Sequence, residues 1–359
     1  LEKEDKTMTD FIKKLEKEFD IQIIHSKKHI WENYFDTDDD GNITTLYLDE
    51  VDLNKLEVLL PIADSLINLA VVKCNIKTIG ALKSFSRLES LSLRLNSLHG
   101  STLSHLSHLK KLKRLDLCGT NIQDTSPLGS VTHLQELYIG SSSRLYEVNG
   151  LEGLKSLQHL DTSYSRIDSI EKVRINENIP SLNIKGTKIK KIMHLERFSN
   201  LQSLNMESTL VEKIEGLDTL KNLKEFFIST YRIKRIEGLE NLTGLEVLDL
   251  NFNKISKIEG LDNLINLKRL NLNENQIKRV ENLDNLVNLE LLLLEPNNTV
   301  TYFDTSFFHN LVSECHIYMR DIKDLDKIQA TAPKNVKINV DNNYPYPVSL
   351  YRKPKGIFK

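Results

Sequence analysis

A 22-residue phrase returns along this chain and limits its fold more than any other feature. The stretch LEVLDLNFNKI at 245–255 comes back as LKRLNLNENQI at 267–277. So short a phrase supplies one strand and one return segment, which cannot bury their apolar faces alone. Stacked copies can, and a fixed period therefore implies a solenoid. Twelve copies open at Ile43, Leu66, Leu88, Leu112, Leu134, Leu157, Ile179, Leu201, Leu223, Leu245, Leu267 and Leu289. Their spacings are 23, 22, 24, 22 and 23, then 22 throughout.

With the opening residue as position 1, positions 4 and 6 are apolar and positions 3, 5 and 7 mostly polar. Period two marks a strand with one buried face. Each strand reappears after a short return, so the strands are parallel, one per coil. Position 9 must satisfy backbone groups of the turn between coils, and an Asn amide both donates and accepts. Asn96, Asn253, Asn275 and Asn297 hold it, as do the small donors Thr120, Thr187, Thr209, Ser142, Ser165 and Cys74. Tyr231 and Val51 depart from the rule, and Tyr231 marks a local distortion or an exposed aromatic.

These repeats identify the chain as leucine-rich-repeat in type. The return IEGLDNL at 258–264 resembles the 22-residue class of the leucine-rich regulatory subunit of protein phosphatase 1 and of bacterial internalins. The resemblance covers Ile43 to about Asn298. It implies an α/β fold: a right-handed leucine-rich-repeat solenoid, or horseshoe, with a parallel concave sheet of about twelve coils. A helical N-cap and an irregular C-cap are expected to close its ends. It also implies a non-catalytic scaffold that holds a protein partner and regulates or targets a signalling enzyme such as a phosphatase or small GTPase. An internalin-like surface adhesion module, or the regulatory segment of a larger enzyme such as a GTPase, is the alternative. The phosphatase regulators close with a Tyr-Arg…Leu-Pro…Leu-Asp cap, and that pattern is missing here.

The expected organisation is a capping helix and lead-in at 1–42, one elongated solenoid domain at 43–300, and a cap with a Pro- and Lys-rich tail at 301–359. Met8, Phe11, Ile12, Leu15 and Phe19 share one face of a helix over 7–19, started by Thr7 and Asp10. Asp36, Asp38, Asp40 and Gly41 imitate a calcium loop. Tyr47 stands where the bidentate Glu belongs, so an Asp-Gly turn entering the sheet over Trp31 is the reading. Short helices are expected at 306–313 and 321–329, and a last strand around Val336, Ile338 and Val340.

Of the 359 residues 40% are hydrophobic, and the net charge is −2. No strong field favours nucleic acid or an anionic membrane, so a monomer that binds neither is expected. Three scattered cysteines make no disulfide framework, and the charged start does not read as a signal peptide; both suggest a cytoplasmic protein. No apolar run nears the roughly 18 residues of a membrane helix. No phosphate loop, GxSxG, HExxH or CxxC appears, so neither enzyme activity nor cofactor nor metal is expected. His99, His105 and His108 read as a solvated turn.

Side chains at positions 3, 5, 7 and 8 should project from the concave sheet free of packing duty. Aromatic and Arg anchors dominate protein interfaces. A central partner-binding patch is therefore read at Arg114, Asp116, Tyr138, His159, Asp161 and Tyr164. A second is read at Phe227, Asp249 and Phe252, flanked by Tyr231. Basic residues at position 13 beside Glu at position 15 read as a solvated ion-pair ladder. That Glu row argues against nucleic acid on the runs Lys188–Lys191 and Arg232–Arg235.

Overall fold

The computed structural model describes residues 2–26, 32–98, 100–120, 122–297, 300–320 and 322–340. Trp31, His99 and the tail beyond 340 lie outside them. Contacts gather the chain into two compact units. The first reaches to Arg166 and includes Arg174–Asn176; the second holds Ile167–Val173 and continues from Glu177.

The first unit opens with an α-helix, Glu2–Phe19, that buries Ile12 and Leu15. The helix starts well before Thr7, which is an interior residue rather than a cap. The Glu-Lys-Glu-Asp-Lys run ahead of it favours helix, with its acids at the positive end of the dipole. A hairpin follows, with Tyr34–Thr37 antiparallel to Ile43–Asp49. At its turn Gly41 takes φ +81. Asp38 Oδ1 accepts the Asn42 N–H at 2.8 Å and the Asp40 N–H at 3.2 Å, and both its oxygens accept from Asn42 Nδ2. The carboxylate is thereby committed to the turn. Parallel strands then succeed one another at Asn68–Val72, Ser90–Ser92, Arg114–Asp116, Glu136–Tyr138 and His159–Asp161. The returns here are 3₁₀ segments except in the coil opening at Leu134, whose return is the strand Val148–Leu151, and the longest 3₁₀ segment, Gly100–His108, belongs to the 24-residue coil.

The second unit is more regular. Its strands lie at Ser181–Asn183, Ser203–Asn205, Glu225–Phe227, Val247–Asp249, Arg269–Asn271 and Leu291–Leu293, paired position for position. Two more parallel strands, Cys315–Tyr318 and Val336–Asn339, extend this sheet beyond the last repeat. The first of them carries no repeat signature in the sequence. Ser306–Asn310 is 3₁₀ and Leu325–Thr331 α-helical. Phe303, Phe307 and Phe308 cluster beside them, with ring centroids 4.9–6.2 Å apart.

The repeat fixes the core. Leu245, Leu248, Leu250, Ile255, Ile258, Leu261 and Leu264 of one coil are at most 1% exposed, and each such side chain contributes about 1.5–3 kcal/mol. Position 9 holds the coils together. Asn253 Nδ2 donates to the carbonyls of Ile228, Leu250 and Asn251, while its Oδ1 accepts the N–H groups of Thr230 and Ile233. Asn96 and Asn275 repeat the pattern. Thr120, Thr187 and Thr209 each donate to a carbonyl of their own coil. A second Asn ladder runs along the exposed return: Asn263, Asn266, Asn285 and Asn288 each donate to a carbonyl of the preceding coil.

Candidate functional site

The turn leaving each strand takes one residue into the left-handed region, where bulky side chains are strained. Position 8 does this at Leu95, Gly119, Ser141 and Tyr164 in the first unit, and at Gly186, Ser208, Phe252 and Glu274 in the second. In the coil opening at Leu223 the left-handed residue falls one place later, at Tyr231 (φ +64). Thr230 turns inward instead, 3% exposed, and gives its N–H to Asn253 Oδ1 at 3.1 Å. The irregularity at Tyr231 is thus a one-residue slip that leaves its ring in solvent.

Position 5 has a duty that the surface reading overlooks. Its Asp or Asn oxygen accepts the N–H of position 7: Asp116 from Cys118, Asp161 from Ser163, Asn183 from Lys185, Asn205 from Glu207, Asp249 from Asn251 and Asn271 from Asn273. These side chains brace the turn. Strands about 4.8 Å apart also make position-5 groups cover one another. Asp116, Tyr138, Phe227 and Asp249 are therefore buried, at 4, 6, 6 and 2% exposed, which corrects the expectation that they carry no packing duty.

In the first unit Arg114, Tyr138 and His159 come together. The Arg114 guanidinium lies over the Tyr138 ring, 4.3 Å from its centroid, donates to Tyr138 Oη at 3.0 Å and pairs with Glu136. Tyr138 Oη donates to Glu136 Oε2 at 2.9 Å, and the Tyr138 and His159 rings are 5.0 Å apart. Sequence reasoning missed Glu136, although Arg114 and Glu136 are direct cross-strand partners of opposite charge. Burial pushes the Tyr138 phenol up and holds the His159 imidazole below its usual range, against the pull of Asp161 and Glu136. Burial also raises the Asp116 carboxyl, opposed by Arg94 with Nη1 at 3.8 Å. Tyr164 stands at the rim, 54% exposed at φ +56.

The second patch divides. Phe227 and Asp249 are buried in the sheet face, whereas Tyr231 and Phe252 are exposed at 58 and 37% with ring centroids 5.5 Å apart. Burial lifts Asp249 to about 7, against the hydrogen bonds from Asn251 and Asn271, with Glu207 raising it further. Its folded pKa lies above its ordinary 3.8, so between the two values the folded chain holds a proton that the unfolded chain has lost. Stability therefore falls as pH rises through this window and levels off above it. Asp249→Asn should match the parent near pH ~4 and melt progressively higher than it up to pH ~7. A pH-independent difference in melting temperature would refute this linkage.

Among the described residues no group of three or more His, Cys, Asp or Glu is placed to hold a metal ion. Burial raises Cys74 and Cys315 to about 12 and lifts Cys118 as well, which keeps all three thiols protonated. No helix among the described residues is long and apolar enough to cross a membrane.

Coil register, Asn ladder and parallel one-strand-per-coil sheets define a leucine-rich-repeat protein. A family model, leucine-rich repeats in two copies, matches residues 221–263. Among solved structures the chain is similar to an internalin (InlF) from Listeria monocytogenes: 23% identity over 75% of this chain and 84% of that one, TM-score 0.54. It is similar to a leucine-rich-repeat protein of Leptospira interrogans, with 21% identity over 81% and 82% and TM-score 0.57. A plant peptide hormone receptor, solved in complex with RGF2, shares 18% identity over 77% of this chain and 48% of that one, TM-score 0.53. A comparison with curated proteins finds no match.

Proposed function

We propose that the protein is a non-catalytic scaffold that binds a protein partner on the sheet face of its first unit. The observation that carries this is the Arg114–Glu136–Tyr138–His159 cluster. A guanidinium clamped between a carboxylate and an aromatic ring is a preorganised anchor, and anchors of this type dominate protein interfaces. The strained, exposed Tyr164 ring supplies apolar contact at the rim. The resemblance of the 22-residue repeats to those of the leucine-rich phosphatase regulators suggests a signalling enzyme as the partner, which the scaffold would regulate or target as a cytoplasmic monomer. The similarity in fold to an internalin favours a second reading, a surface adhesion module.

Chemical cross-linking and quantitative capture test the proposal. Arg114→Glu with His159→Ala should reduce partner capture at least tenfold while the circular dichroism spectrum is retained. Undiminished capture by the folded double variant would remove the cluster from the interface.

A further inference from the structure

The rim of the second unit carries a feature that its core and its charge ladder leave unexplained. Two adjacent coils place aromatic rings in the left-handed region, Tyr231 at φ +64 and Phe252 at φ +50, where Gly186 and Ser208 serve the two coils before them. Such backbone is costly for a bulky residue, yet Tyr231 is 58% and Phe252 37% exposed. Tilted by 40° to one another, they form one exposed apolar step.

Basic residues flank that step in the chain. Arg232 follows Tyr231 directly, and Lys254 lies two residues beyond Phe252. Three of the ladder acids are engaged elsewhere: Lys213 with Glu215, Arg235 and Lys257 with Glu259, Arg279 with Glu281; Glu237 is in no ion pair among the described residues. Among the described residues Lys188, Lys234, Lys254 and Lys278 have no acidic side chain within ion-pair distance. Arg232 pairs only with Glu212, at 2.9 Å on an exposed surface, a contact a ligand carboxylate can replace at little cost. Against these bases stand Glu212, Glu237 and the exposed Glu274, which holds the left-handed position one coil beyond Phe252, so in a chain of net charge −2 this edge keeps a modest excess of basic residues. The ladder acids beside it would repel a continuous phosphate backbone, whereas a peptide can place uncharged residues opposite them.

We infer that this rim docks an extended acidic peptide segment, with a hydrophobic side chain on the Tyr231–Phe252 step and flanking carboxylates on Arg232 and Lys254. The site uses other residues than the Arg114 cluster, so either can fail without the other.

Fluorescence anisotropy tests it with a labelled twelve-residue peptide alternating glutamate with leucine and phenylalanine. Controls are the same peptide with lysine for glutamate and a twelve-nucleotide oligouridylate. Saturable binding of the acidic peptide is expected, weakening several-fold as salt rises from about 50 to 300 mM. Tyr231→Gly with Phe252→Gly should lower affinity about tenfold or more while leaving the melting temperature unchanged or higher, since glycine relaxes the left-handed turns. Lys254→Glu should weaken binding and flatten its salt dependence. No saturable binding, equal binding by the glycine variant, a glycine variant that melts several degrees lower, or tighter binding of oligouridylate would each overturn the inference.

Discussion

Replacing Asn253 with Ala should destabilise the protein by about 4 kcal/mol or more in chemical denaturation. The amide serves three carbonyls and two N–H groups, all in or beside the buried turn. Each group left without a partner costs roughly 1–3 kcal/mol, and the sum is less than additive because the turn relaxes. Asn253→Thr, imitating Thr209, retains a bond like that from Thr209 Oγ1 to the Met206 carbonyl at 2.7 Å. It should lose about half as much. A loss below about 1 kcal/mol for the Ala variant would show that water or a backbone shift replaces the ladder.

The second large effect belongs to the glycine of the IEGL return. Gly216, Gly238 and Gly260 all adopt φ +69, and a Cβ on each would meet a carbonyl oxygen of the preceding coil at 2.6 Å. Close approach of coils and left-handed backbone both demand glycine here. Gly238→Ala should cost about 3 kcal/mol, from strain plus displacement of the Ile214 carbonyl. Gly153→Ala, with nothing within 4 Å of the new Cβ, should change stability by less than about 0.5 kcal/mol. Asn282 shows how a non-glycine residue manages this place: at φ 62 its Nδ2 donates to the Ile258 carbonyl at 2.8 Å. Gly238→Asn should accordingly be milder than Gly238→Ala. Denaturation midpoints of the three variants test the order.

The coil register was readable because burial at positions 1, 4 and 6 must recur whenever identical coils stack. Eleven of the twelve openings stand two residues ahead of an observed strand, and Ile43 begins its own. Tyr231 was readable as a local distortion or an exposed aromatic, but the one-residue slip that makes it both was not. Ile233 and Leu245 keep their places, so a one-residue shift of the turn leaves the count unchanged. The bracing role of position 5 was in view, since Asp or Asn fills it at residues 116, 161, 183, 205, 249 and 271. It was read as surface charge because alternation alone does not tell which polar side chain bonds back to its own backbone. Strand Cys315–Tyr318 escaped because pairing to an existing sheet edge supplies its order without the leucine pattern.

For the site, alternation correctly placed Arg114, Tyr138 and His159 on one face. It could not tell an exposed side chain from one shouldered by its neighbours, hence the burial of Asp116, Phe227 and Asp249. The left-handed turn, a backbone property, selects the exposed rings Tyr164, Tyr231 and Phe252.

Hydroxyl-radical footprinting of the protein with its captured partner tests the division of labour between sheet face and return most directly. Binding on the face of the first unit predicts protection of His159 and Tyr164, with the exposed return residues Leu60 and Ile265 oxidised as in the free protein. Protection of Leu60 or Ile265 with His159 and Tyr164 unchanged would contradict it.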